Sequence, residues 1–317
     1  MRVLSKKNII TLLLIVAVFA VVQVLISVKI INSFYEITLA TICINIILAV
    51  SLNLVTGFTG QFSLGHAGFM SIGAYVCAII SMNTDSTLGF IFGIFAGAVA
   101  AAIVGVIIGI PTLRLKGDYL AIATLGMAEI IRVLFLNMDE ITNGAAGLSG
   151  IPRNTNWTWL FVFMMASIIL INNFIRSSHG RACISIREDE IAAESMGVNT
   201  TKYKVMAFAL GAFFAGIAGG LYASYFYFIK PNTFGFMKSV DVLIIIVLGG
   251  LGSLSGSVIA AILLAVLTTF LQQFTEIRMI IYALLLVSIM LFRPQGLLGT
   301  KEITDMFKSR KNTEKIE

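Results

Sequence analysis

The chain has 317 residues, of which 58% are hydrophobic and only 12% charged, with a formal net charge of +6 and a mean hydropathy of +0.97. Soluble domains carry about 45–50% apolar residues, so this composition excludes an ordinary water-soluble fold. Three cysteines and two histidines in no ligand spacing exclude a disulfide framework or zinc site as the organising element. The basic excess suits loops flanking membrane spans better than a nucleic-acid surface.

Apolar runs of about 18 residues or more, each able to cross a ~30 Å hydrocarbon core as a helix, recur along the chain. About ten membrane segments are read, at roughly 9–28, 36–56, 62–82, 88–110, 119–137, 157–175, 205–228, 240–251, 257–274 and 278–292. None alternates as barrel strands do. The fold class expected is an all-α polytopic membrane protein, a single domain over 1–317 with about ten transmembrane helices and a membrane core at about 9–292. The first run resembles a signal peptide, but it is long and lacks a small-x-small cleavage site, which predicts an uncleaved span.

After the second run comes GFTGQFSLG (57–65), and after the eighth GGLGSLSG (249–256). Both contain G-x-x-G-x-x-S, as Gly57, Gly60, Ser63 and Gly249, Gly252, Ser255. Matching positions in the hydropathy pattern suggest a weak parallel internal repeat of the kind found in transporters. Glycine breaks free backbone groups that are tolerated at membrane depth only beside protein or a water-filled cavity. Some helices are therefore expected to be discontinuous, with breaks at Gly57, Gly60, Gly249 and Gly252. The run VDVLIIIVLGG, at about 18 Å as a helix, reads as too short to cross alone. Gln61, Ser63, His66, Ser253 and Ser255 are the candidate pathway residues. The alternative is that these serines and glycines serve tight helix packing. His66 has no metal-ligand companion, so a hydrogen bond orienting the glycine loop is the preferred role.

Small residues at every fourth position, Gly93 to Gly109 and Ala212 to Gly220, predict close helix contacts, and Pro111 marks the end of the first of these helices. Glu129 and Arg132 lie three apart and read as an ion pair on one helix face. Between the sixth and seventh runs lies the most charge-dense internal stretch, REDEIAAESMGVNTTKYK (187–204), following Cys183 in the same polar loop. A short surface helix over 187–197 is expected, with acidic residues at its start and Gly197 as its stop. Such a helix is marginal alone, which makes a docking partner attractive; a solvated linker is the plain alternative. With both termini on one side, 16 of the 22 Lys and Arg fall on the side of this loop. That asymmetry predicts cytoplasmic termini, a cytoplasmic loop at 176–204 and a cytoplasmic tail at 293–317.

No phosphate loop, nucleophile elbow or zincin motif is present in the sequence. An intramembrane enzyme lacks a nucleophile–base pair; an ion-coupled secondary transporter stays as an alternative, but it needs an intramembrane coupling carboxylate, for which Glu129 beside Arg132 is a poor candidate.

EIAAESMG (190–197) resembles the cytoplasmic E-A-A…G signature of bacterial ABC-importer permeases, with Ile191 interrupting the spelling. SLNLVTGFTGQFSLGHAGFMSIGAY, GDYLAIATLGMAEIIR, ITNGAAGLSGIP, FAGIAGGLYA, FGFMKSVDVLIIIVLGGLGSLSG and the closing FRPQGLLG are similar to the Liv-type (LivM-like) branched-chain amino acid permease family, over roughly residues 35–300. The resemblance implies a non-enzymatic transport subunit of a bacterial cytoplasmic membrane. It implies a second LivH-like permease, two ATPase subunits that bind ATP and Mg, and an extracytoplasmic amino-acid-binding protein, with no cofactor on this chain. Arg187, Glu188, Glu190, Ala193, Glu194 and Gly197 would then couple to the ATPases. Permeases for urea or short amides share the resemblance and remain the alternative cargo.

Overall fold

The computed structural model describes residues 6–84, 86–271 and 296–299, together with positions 280, 284, 287 and 291. The described chain is helical almost throughout: α1 Lys6–Ser27, α2 Ser33–Asn53, α3 His66–Thr84, α4 Thr87–Thr112, α5 Asp118–Asn137, α6 Asp139–Thr142, α7 Trp157–Arg176, α8 Ser178–Glu188, α9 Glu190–Ser195, α10 Thr200–Phe226, α11 Phe236–Gly249 and α12 Leu254–Phe270. Its one described sheet pairs β1 Leu148–Ser149 antiparallel with β2 Phe228–Ile229.

Among the described residues seven helices are long and apolar enough to cross a membrane, and two more, Ile15–Ser27 within α1 and α12, are apolar but shorter. The tenth expected span, 278–292, lies almost wholly outside the described residues. The eighth run is longer than its apolar core suggests. A 3-10 turn at Pro231–Phe234 leads into α11, and Pro231–Gly249 together reach 19 residues. Polar Lys238, Ser239 and Asp241 hid this extension from a purely apolar count.

The centre is built where α3, α4 and α10 approach backbone to backbone. A methyl on Gly73 would run into the Gly216 backbone. One on Gly97 would lie 2.8 Å from the Gly73 carbonyl, and one on Gly216 would lie 2.8 Å from Ala98 Cα. The four-residue stripes are therefore packing surfaces, with absent side chains allowing contact that larger residues forbid. Ser86 caps α4 by accepting from Gly89 N, and Pro111 sits in that helix's last turn. Tyr75 of α3 stacks on Phe135 at 4.3 Å, fastening α5 to this centre.

Two opposite ends are distinguishable. Lys116, just before α5, pairs with Glu190 of α9 at 3.4 Å, so α5 and α10 both leave the α8–α9 end in the same direction. At their far end the 139–154 segment and the turn after α10 form one cap. Leu148 pairs with Ile229 and Ser149 with Phe228, and Ser224 Oγ donates to Pro152 O. Arg132 holds Glu129 at 2.7 Å and donates to Asn232 Oδ1, as a structural ion pair beneath this cap.

Candidate functional site

The two glycine breaks come together. α2 does not stop at Asn53 but widens into one π turn, Leu54–Phe58, a local distortion often found at working sites. Gly57 lies within it, where a Cβ would collide with the Asn53 side chain and the Gly252 backbone nitrogen. Gly60 follows with φ +72°, and Gly252 has φ +88°, a region that glycine enters without steric penalty. The carbonyls of Leu248 and Gly249 at the end of α11 accept from Leu297 N and Leu298 N. Residues 296–299 thereby close against the second break.

Asn53 is the joint between the breaks. Its Oδ1 accepts from Gly252 N at 2.9 Å, and its Nδ2 donates to Ser253 O at 2.9 Å and to Ser257 Oγ at 2.8 Å. The side chain is fully buried, so these bonds satisfy an amide that would otherwise stand unpaired in an apolar interior. Such bonds contribute about 1 kcal/mol apiece in membrane proteins.

Arg187, in the last turn of α8, reaches both breaks from the other side. Its Nη1 donates to Gly57 O at 2.9 Å, and its stem packs at Gly60, where a Cβ would sit 3.1 Å from Arg187 Cγ. A Cβ on Gly252 would lie 2.8 Å from the same guanidinium. Glu188 completes an ion pair with Arg187. Thus α8 is in direct contact with both glycine segments.

The expected single helix over 187–197 is two helices. Asp189 leaves helical geometry with φ −157° and caps α9, its carboxylate accepting from Ile191 N and Ala192 N. The α8–α9 pair then ends as expected at Gly197, with φ +84° and Val198 N returning to Ala193 O. Glu190 receives Lys204 Nζ at 2.6 Å and Lys116 at 3.4 Å. The Lys204 hydrogen bond, aided by the attraction of both lysines and opposed by burial, holds the Glu190 carboxyl below its usual range. Between these groups and the first break lies a cleft of about 250 Å³, lined by Gln61, Lys116, Arg187, Glu188, Glu190 and Lys204 among others.

Of the candidate pathway residues, only Gln61 faces this cleft, and both its amide atoms are buried without a protein partner. Ser63 is buried and accepts from Gly65 N at 3.3 Å. His66 is buried at the start of α3, 2.8 Å from Ser51 Oγ. Ser51 donates its proton to Leu48 O, so the imidazole N–H is the donor between them. Ser253 caps α12 through Gly256 N, and Ser255 lies 3.4 Å from it. Of the coupling residues, Arg187, Glu190 and Ala193 are turned into the chain, whereas Glu194 and Gly197 are exposed. Ile191 and Met196, 74% and 85% exposed, complete the outer face of α9. Cys183, though in the polar loop, is fully buried, and burial pushes its thiol up to about 11 against a lowering hydrogen bond with Thr59.

Residues 34–290 match the family described as branched-chain amino acid transport system / permease component. The chain is 39% identical to the high-affinity branched-chain amino acid transport permease LivM of Salmonella typhimurium over 80% of this chain and 68% of that protein. Identity with its Escherichia coli K12 counterpart is 40% over the same shares. With LivH of Salmonella typhimurium it is 25%, over 81% of this chain and 92% of that protein. No solved structure matches the chain. Its polytopic helical bundle, paired glycine breaks and sequence agree: this chain belongs to the branched-chain amino acid transport system permease family.

Proposed function

We propose that this chain is one membrane subunit of an ABC importer for branched-chain amino acids, working with a LivH-like permease, two cytoplasmic ATPases and an extracytoplasmic binding protein. In this reading ATP and Mg bind the ATPases, and this chain converts their motion into alternating access. The observation that carries it is Arg187, which ties α8 to the Gly57 carbonyl and packs against Gly60 and Gly252. A displacement of α9 is transmitted through α8 to both broken spans at once. Exposed Ile191 and Glu194 on α9, with Met196 at its C-terminal cap, supply the contact for the ATPase; inward Glu190 holds the helix in place. The cap formed by 139–154 and the turn after α10 is the surface that receives the binding protein. About ten spans, with the breaks as parallel counterparts and both termini cytoplasmic, belong to the same proposal. Its support is the basic asymmetry of the loops and the positive φ shared by Gly60 and Gly252.

The test compares Met196→Asp with wild type after reconstitution with the partner subunits. Expected is loss of ATPase copurification and of leucine-stimulated ATP hydrolysis, with normal membrane insertion. Retention of both by Met196→Asp and by Ile191→Asp would place the ATPase contact elsewhere.

A further inference from the structure

At the end of the bundle opposite α8 and α9, a separate cavity of about 280 Å³ opens between α1, α2 and the segment entering α7. Glu36 of the first turn of α2 and Arg153 both line it. Neither joins an ion pair among the described residues. The Arg153 guanidinium lies 5.4 Å from the Tyr225 ring centre and 5.8 Å from that of Tyr227. Stacking of this kind positions the cation without neutralising it.

Three more lining residues bring buried polar atoms with no protein partner: Gln23 Oε1, Thr155 Oγ1 and Trp157 Nε1. Thr155 is only 1% exposed. Buried polar groups are satisfied in native proteins, by water or ligand where protein does not serve. These orphans divide by sign. Gln23 Oε1 can only accept and joins Glu36 as a seat for an ammonium. Trp157 N–H can only donate and joins Arg153 and the Thr155 hydroxyl as a seat for an anion. The space is smaller than the ~300–1,000 Å³ of drug-sized sites, which suits one compact group carrying both charges.

The outer wall distinguishes the sources of such a zwitterion. Val21 and Val24 on α1 and Val28 just after it are each 58–62% exposed. In a membrane these side chains meet acyl chains, and they lead to Gln23 and Ile26 at the cavity. Tyr35 and Tyr227 are exposed at this same end, as amphipathic rings are at the level of lipid head groups. We propose that the cavity binds the head group of an aminophospholipid, with its primary ammonium on Glu36 and Gln23 and its phosphate on Arg153, Thr155 and Trp157. The site is independent of ATPase coupling, because none of these residues touches α8 or the glycine breaks.

The full-length chain, placed in phosphatidylcholine nanodiscs doped with phosphatidylethanolamine, is released into native mass spectrometry. One retained phosphatidylethanolamine is expected in wild type. Its retention falls about tenfold in Glu36→Gln, as loss of a charge-assisted hydrogen bond predicts. Thr155→Val, which keeps the side-chain shape, weakens retention in the same direction and carries the test if Glu36→Gln misfolds. Phosphatidylcholine, whose quaternary ammonium has no N–H, is not retained. Equal retention of the two lipids, or unchanged retention in both variants, overturns the proposal. Displacement of the lipid by free leucine also overturns it, by making the cavity an amino-acid site.

Discussion

Asn53 commits both ends of its amide to residues about 200 positions away, so its replacement acts on the second break as well as the first. Asn53→Leu removes the bond to Ser253 O, which keeps Ser257 as a donor, and leaves Gly252 N without its acceptor in a buried place, at about 1–3 kcal/mol for that orphan. A thermal unfolding midpoint clearly below wild type is expected in detergent. Ser257→Ala removes only one of the three bonds and should cost about 1 kcal/mol; equal effects would mean that Asn53 does not bridge the breaks. Gly60→Ala and Gly252→Ala each force a side chain into positive φ, at roughly 1–2 kcal/mol, and press on Arg187. Both variants should insert normally yet lose uptake, as a transport assay in vesicles would show, and normal uptake in both would detach the breaks from transport. The breaks were legible as G-x-x-G-x-x-S, because positive φ and close approach demand glycine. Asn53 was not: it sits in the apolar run LAVSLNLVTGF with no partner nearby in sequence. Arg187 read as a surface charge because nothing local reveals that it points inward.

The division of the polar stretch into α8 and α9 shows what helix periodicity misses. Asp189 followed by Glu190 carries a start signal of its own, and that signal was absorbed into one longer acidic helix. Glu190 then makes the α9 position depend on pH. Its folded pKa is depressed, so the stabilisation is present above the unfolded value of about 4.3 and disappears as pH falls through the folded value. Hydrogen-exchange protection of 191–198, corrected for intrinsic rates, should hold at neutral pH and collapse below about pH 4. Glu190→Gln should flatten that dependence. A collapse that persists in Glu190→Gln would assign the pH effect to another group. Seven of the ten expected membrane helices are long and apolar enough to cross among the described residues, since length and apolarity set them directly. Their ends were read less well where polar residues, as in Lys238–Asp241, extend a buried helix.

For the molecule as a whole, burial of all three native thiols, Cys43, Cys77 and Cys183, makes sidedness measurable. The unaltered chain should resist an impermeant maleimide from either side. Met196→Cys is expected to react from the cytoplasm alone, and Tyr227→Cys, at a position 53% exposed, from the opposite side alone. The reverse pattern would invert the topology and remove α9 from reach of any cytoplasmic ATPase. The Asn53 joint also bears on how the protein is made. Its partners are translated about 200 residues later, which at 5–20 residues per second is a delay of about 10–40 s. Throughout that interval α2 is a nascent span apolar enough to enter the membrane but carrying an amide whose partners do not yet exist. The order of synthesis therefore leaves α2 in place first and completes its polar seam only when the second half of the chain arrives.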